Sequence, residues 1–191
     1  MARWEPNAPE RLTLAALELF VDQGYDQTTV AEITERAGLT KRTFFRHFAD
    51  KREVLFAGQD TLLTLFAQAI ADAPATAGPL AAVLAALEAA GEVAFAEERR
   101  EFARKRQSVV EANDSLRERE LLKGARLTSA MADALRARGV ADLTARLAAE
   151  VGNVAVVTAF GRWVDPACRK DFGSLARETM EELRKAAASL Q

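Results

Sequence analysis

Cysteine occurs once in the 191 residues, at Cys168, and histidine once, at His47. A lone cysteine excludes an intrachain disulfide, and with one histidine the usual zinc-ligand spacings are absent. Tyrosine also occurs once, and β-branched residues never alternate over a strand-length run, so no pattern for a sheet exists. No apolar stretch of about 18 residues is free of charge. The opening MARWEPNAPE has neither the apolar core of a signal peptide nor the Arg-rich, acid-poor character of a presequence. The expectation is a cytoplasmic protein with no membrane partner, no structural metal and no cofactor. Also missing are a Gly-rich phosphate loop, an E-x-x-H pair and a His/Cys/carboxylate cluster, which counts against a helical-bundle enzyme.

What is present is Ala, Leu and charge: 49% of the chain is hydrophobic and 28% charged. That composition belongs to a folded chain, and its propensities are those of an all-α protein. The net charge of -2 argues against a protein that coats nucleic acid indiscriminately. Its distribution says more. Between Arg36 and Arg52, six basic residues (Arg36, Lys41, Arg42, Arg46, Lys51, Arg52) face Asp50 alone, a local excess of +5.

Helical spacing of Leu12, Ala16, Leu19 and Phe20 predicts a first helix from Pro9 to Gln23. Gly24 ends it as a C-cap, with Tyr25 folding back. Thr29 and Glu32 have capping-box spacing for a short second helix ending at Gly38, whose face is Val30, Ile33, Thr34 and Ala37. Thr40 caps a third helix of about eight residues, with Phe44 and Phe48 on one side and Arg42 and Arg46 on the other, flanked by Thr43 and Phe45. Asp50 and Glu53 repeat the capping spacing and open a fourth helix, with Lys51 in its first turn, running unbroken through Val54, Leu55, Leu62, Leu65, Phe66 and Ile70 towards Ala73. The stretch PATAGP, Pro74 to Pro79, is a linker. Five further helices follow, Leu80 to about Ala96, Glu98 to Ala112, Ser115 to Arg138, Asp142 to Val164 and Cys168 to Leu190, making nine.

Two short helices joined by a Gly turn, the second with a cationic face, form a helix-turn-helix, which sets its second helix in a DNA major groove. From Arg11 to Leu55 the segments RLTLAALELF, GYDQTTVAEITERAG, LTKRTFFRHF and DKREVL resemble the amino-terminal domain of the TetR family of transcriptional regulators. The resemblance implies a three-helix DNA-binding domain over residues 1–56 and a helical ligand-binding and dimerisation domain over residues 57–191. It further implies a homodimer on double-stranded DNA, at a palindromic operator, and an unidentified small-molecule effector that releases a repressor.

Carried over by position, Thr28 and Thr29 lie by a phosphate at the start of the second helix. Lys41, Arg42 and Thr43 approach base edges and the neighbouring backbone, and Phe45, His47 and Lys51 occupy phosphate-contacting positions. The chemistry agrees with these roles, because an arginine such as Arg42 can fork onto guanine O6 and N7. Lys41 and Lys51 neutralise phosphates, and the first amides of the fourth helix form an anion site around Lys51. Phe45 departs from the tyrosine usual there, losing a hydroxyl bond to phosphate, and Arg42 replaces a small residue. His47 is open between a surface histidine and a DNA contact, as Arg46 and Arg52 are between solvated charge and contact. Arg3 and Trp4 are open between a minor-groove arm and a disordered terminus.

In the second part, Val151 to Val164 is apolar almost all round and so needs cover on two sides. Val151, Val154, Ala155 and Thr158, with Phe172, Leu175 and Leu183 of the last helix, are the expected dimer interface. The large side chains available to a ligand pocket are Phe66, Phe95, Phe102, Met131, Phe160 and Trp163, most of them also ordinary core candidates. The run Arg99 to Gln107 reads first as a solvated face, and Arg106, one turn from Phe102, is the candidate for an anionic ligand. A protein-interaction adaptor accounts for the apolar helices and leaves the +5 patch unexplained.

Overall fold

The structure, a computed structural model, describes residues 7–190. The candidate arm of Arg3 and Trp4 lies outside them. Among the described residues there are nine α-helices and no strand, an all-α fold. The chain divides into two units, one within Met1–Gly58 and Lys105–Arg119, the other within Gln59–Arg104 and Glu120–Gln191.

In the first unit α1, Ala8–Gln23, starts at Asn7, whose side chain accepts from the Glu10 amide at 3.2 Å. It buries Leu12, Ala16, Leu19 and Phe20. Gly24 takes φ 90° and returns its N–H to the Phe20 carbonyl at 3.1 Å, while the Tyr25 ring meets Phe20 edge-on at 5.0 Å. Helices α2, Val30–Arg36, and α3, Lys41–His47, follow. The expected unbroken fourth helix is two elements: a 3-10 turn, Arg52–Phe56, then α4, Gln59–Asp72, separated by Gly58 at φ 81°. Burial explains the break. Val54, Leu55 and Phe56 are consecutive and at most 5% exposed, whereas three successive α-helical residues fan over about 200° and cannot all point into one core.

The second unit is organised around α5, Pro79–Val93, which buries Ala82, Val83, Ala86, Leu87 and Ala90 and packs against α4, α8 (Asp142–Val164) and α9 (Phe172–Ala188). Small residues set the approach. A Cβ at Gly91 of α5 would lie 3.1 Å from the Gly173 amide nitrogen, and one at Gly152 of α8 would lie 2.6 Å from Val83 Cγ1 and 3.1 Å from Met131 Sδ. After a 3-10 turn, Glu97–Arg99, come α6, Arg100–Glu111, and α7, Asp114–Ala137, both of which contribute residues to each unit. Beyond α7, the Arg138 guanidinium satisfies the end of α4. It donates to the carbonyls of Ile70, Ala73 and Pro74 at 3.0, 2.7 and 2.8 Å, groups that no further helical turn would satisfy. The last helix is capped by Asp171, which accepts from the Ser174 amide and hydroxyl, both at 2.8 Å, and whose carboxyl is thereby held below its ordinary pKa.

The expected dimer face of α8 needs correction. Ala155, Phe172 and Leu175 are 0%, 1% and 4% exposed, because they point towards α5 and the core. Val151, Thr158 and Leu183 are half-buried, and Val154 is exposed. The apolar side chains that α8 leaves in the open are Leu143, Leu147, Val154 and Val157, a stripe at helical spacing that includes three residues the sequence reading passed over. By length and mean hydropathy α8 and the stretch Arg52–Asp72 could each cross a membrane. The second of these is the pair of elements broken at Gly58, and α8 carries Arg146, Glu150 and Arg162.

Gly152→Ala gains about 1 kcal/mol of helix propensity, but the added methyl must displace the fully buried, β-branched Val83. Overpacking of this kind costs about 1–3 kcal/mol. The expected outcome is a lower thermal midpoint by calorimetry, and a raised one would mean that α5 and α8 are less tightly apposed than described.

Candidate nucleic-acid interface

The corner between α2 and α3 is built from local hydrogen bonds. Thr29 Oγ accepts from the Glu32 amide at 3.3 Å, and Glu32 returns a carboxylate to the Thr29 amide and hydroxyl, both at 2.7 Å, completing a capping box. The hydrogen bond from the Thr29 hydroxyl is the first of the causes that lower the Glu32 pKa. At the other end of α2 the Leu39 amide donates to the Thr34 carbonyl at 2.8 Å, and Gly38 takes φ 63°. Arg11 of α1 donates its Nη2 to the Ala37 carbonyl and lies 3.0 Å from where a Gly38 Cβ would be. The turn therefore needs glycine for its sign of φ and for the guanidinium beside it.

Thr40 caps α3, accepting from the Thr43 amide at 3.1 Å. Phe44 and Phe48 are 0% and 6% exposed, their rings 5.4 Å apart in the core of the unit. Opposite them Lys41, Arg42, Phe45, Arg46 and His47 are exposed, with Thr43 half-buried beside Thr40. Phe45 is 56% exposed, its ring meeting Phe44 edge-on at 5.4 Å. Arg46 Nη2 lies 3.3 Å from His47 Nε2. Thr29 is exposed at the start of α2. These outward groups share α3 and the adjacent helix start.

The remaining expected contacts are placed differently. Thr28 is 1% exposed, its hydroxyl donating to the Gly24 carbonyl at 2.8 Å and accepting from Gln23 Nε2 at 3.3 Å, so it closes the α1–α2 turn and faces inward. Lys51 is half-buried, and its ammonium donates to the Tyr25 and Thr28 carbonyls at 2.6 and 2.8 Å and sits 4.2 Å over the Tyr25 ring. Burial lowers its pKa, against the raising influence of Asp26 and Glu32. Two of its three N–H donors hold the turn, and one is left for a phosphate. The anion site expected at the next helix start is filled from within. Asp50 Oδ1 accepts from the Arg52 and Glu53 amides at 2.8 and 3.1 Å. Burial raises the Asp50 carboxyl, but the Arg52 side chain and these amides more than offset it, leaving its pKa low. Arg36 pairs with Glu18 and Arg52 with Asp50, both at 3.0 Å. Of the six basic residues, Lys41, Arg42 and Arg46 thus form the outward set.

A second group had no sequence signal, because its two halves are fifty or more residues apart. Arg119 grips Glu53 through Nε and Nη2 at 2.7 and 3.0 Å, and the guanidinium groups of Arg119 and Arg106 each lie 4.9 Å from the Phe56 ring. Arg106 Nε donates to the Leu55 carbonyl at 2.7 Å. This corrects the expected ligand role of Arg106: the side chain is 8% exposed and fixes the 3-10 turn of the first unit. Phe66, Met131 and Trp163 are fully buried in the core of the second unit, and Phe102 is half-buried. The half-buried Phe160 forms one aromatic cluster with Trp163, Phe95 and Phe172, at centroid distances of 4.3 to 6.4 Å. Phe66, Met131 and Trp163, with Phe95 and Phe160 packed against them, belong to the one core of the second unit.

Residues 12–57 match the family of bacterial regulatory proteins of the tetR family. Over 80 residues the chain is 42% identical to the HTH-type transcriptional regulator TcmR of Streptomyces glaucescens, covering 42% of this chain and 35% of that one. The likeness thus spans about a third of that relative's length. In shape the chain is similar to the transcriptional regulator FadR from Bacillus subtilis in complex with stearoyl-CoA, with a TM-score of 0.62 at 18% identity over 91% of this chain and 96% of that one. It is also similar to the SmeT–triclosan complex, with a TM-score of 0.60 at 24% identity over 95% and 90% of the two chains. SmeT is the repressor of the Stenotrophomonas maltophilia multidrug efflux pump SmeDEF. At such identities the structural likeness concerns the fold.

Arg119→Ala leaves the Glu53 carboxylate, 28% exposed, without its bidentate partner. The expected loss in unfolding free energy is about 1–3 kcal/mol, read from urea denaturation. A curve that superimposes on that of wild type would show that water replaces the guanidinium fully.

Proposed function

We propose that the chain, whose residues 12–57 match the tetR family of bacterial regulatory proteins, is a sequence-specific DNA-binding transcriptional regulator of that family. It acts as a homodimeric repressor released from a palindromic operator by a small molecule. The observation that carries this reading is the division of α3, whose aromatic back is buried while its cationic front is exposed. A helix anchored in this way can enter a major groove without losing its place in the domain. In the proposed complex Arg42 reads a guanine edge, Thr43 lies beside it, and Lys41 neutralises a phosphate. Thr29, Phe45 and His47 line the backbone, and Lys51 adds its remaining N–H donor while holding the α1–α2 turn.

The second copy covers the stripe Leu143, Leu147, Val154 and Val157 of α8, together with the half-buried Leu183 of α9. Glu150 lies in the middle of that stripe, which suits a wet helix–helix seam and is unfavourable against lipid. Two copies related by a twofold axis present two α3 helices to successive half-sites. Effector control is supported by the ligands in the FadR and SmeT complexes, and repression by the described role of SmeT. Thermodynamically, the effector need only bind more tightly to the conformers whose half-site spacing does not fit the operator.

Selection of bound fragments from random DNA tests the whole reading, with a palindromic motif as the expected result. Weak binding indifferent to sequence would remove it. Arg42→Ala is expected to relax base preference at one symmetric pair of positions, at about 1–3 kcal/mol of discrimination, and an unchanged motif would exclude Arg42 as a base reader. Lys41→Ala is expected to weaken all sequences alike and to reduce the salt slope by about one unit. Val157→Glu is expected to shift sedimentation from dimer to monomer at micromolar concentration. A variant that remained dimeric would place the seam elsewhere.

A further inference from the structure

Among the described residues the exposed large apolar side chains are leucines, valines and a single aromatic, Phe45, which is 56% exposed. Its surroundings are not apolar. At 100° per residue Phe45 lies between Lys41 and Arg42 around α3, four residues after the first and three after the second, so the three share one side of the helix. Both cations are exposed, and the helix, KRTFFRH, holds no carboxylate. The ring is also held in direction. The buried Phe44 ring meets it edge-on at 5.4 Å, and the Thr40 cap fixes the start of the helix beneath it.

One exposed apolar side chain is ordinary on a protein surface. A ring between two outward cations is not, because the polyanion that those cations attract is brought against it. A phenyl ring has no hydrogen bond to give to a phosphate or a base edge, and it gains by removing apolar surface from water. In the major groove the apolar group to be covered is the C5-methyl of thymine. Within that base C5 is separated from the glycosidic nitrogen by C6 alone, so the methyl is the thymine groove group nearest its own sugar–phosphate chain. A ring that lines the backbone meets it before any other edge of the base.

We propose that Phe45 is a specificity-determining residue of α3, reading a thymine through its C5-methyl within one or two base steps of the guanine read by Arg42. The spacing follows from the two rises. Three residues advance about 4.5 Å along a helix, against about 3.4 Å per base along a strand. The proposal rests on the regulator reading above.

The test replaces single thymines of the selected operator by deoxyuridine, symmetrically in both half-sites, which removes the methyl and keeps the pairing to adenine. The full chain is titrated with each operator. At one symmetric pair of positions, wild-type affinity is expected to fall by about fourfold for each buried methyl and about fifteenfold for the two. Phe45→Ala is expected to bind the thymine and deoxyuridine operators equally while keeping the guanine preference of Arg42. Should that variant fail to fold, Phe45→Gln takes its place with the same expectation.

Sequence-specific binding in which no thymine responds to loss of its methyl overturns the proposal and leaves the regulator. A variant that keeps the full preference for thymine over deoxyuridine also overturns it, and gives the methyl to another side chain such as Thr43. Failure of the wild type to select any DNA sequence removes the regulator reading, and the role of Phe45 with it.

Discussion

Burial of Phe44 is the constraint on which the candidate interface depends. Helix α3 has seven residues, far fewer than the dozen or more that an isolated helix needs to persist in water. Its direction is therefore set from outside, by the Phe44 and Phe48 rings in a core shared with α1 and α2, by the Thr40 cap, and by the turn that Arg11 ties to Ala37. Each of these acts on the buried side or on the ends. None consumes an outward group, and that is why five exposed side chains can crowd onto so short a helix.

Charge in this region is divided in a way that the composition alone conceals. Six basic residues lie between Arg36 and Arg52, yet half of them serve the fold. Arg36 and Arg52 find carboxylates, and Lys51 spends two donors on backbone carbonyls at the α1–α2 turn. Exposed pairs such as Arg36–Glu18 add at most about 1 kcal/mol each, so their effect is more on the local field than on stability. What remains positive is concentrated at Lys41, Arg42 and Arg46, all three exposed on α3.

Local patterns were legible and distant ones were not. The caps at Thr29 and Thr40, the Gly24 and Gly38 turns, the Phe44–Phe48 back of α3 and the span of α8 all follow from residues within one or two helical turns of each other. The break at Gly58 was hidden because Val54, Leu55 and Phe56 satisfy a helical pattern as readily as a tight turn, and only the direction of the core separates the two. Thr28 and Lys51 were assigned outward because position within a pattern does not reveal which carbonyls a side chain will find. On α8 the apolar residues were legible, but which of them the core takes was not. Ala155 and Val154 are neighbours in the chain, but the former looks inward and the latter out, a difference set by α5.

The grip of Arg106 and Arg119 on the 3-10 turn bears on the order in which the protein acquires structure. The helix-turn-helix and the turn behind it are complete by Phe56, but the residues that pin that turn belong to Lys105–Arg119. A chain emerging from the ribosome at about 5–20 residues per second therefore carries the first three helices for several seconds before their remaining wall exists. During that interval Glu53 lacks its guanidinium and the Phe56 ring lacks both of its cations. The first helices to be made must wait for a later part of the chain before their unit can close, and protection of this turn against a protease would date that closure.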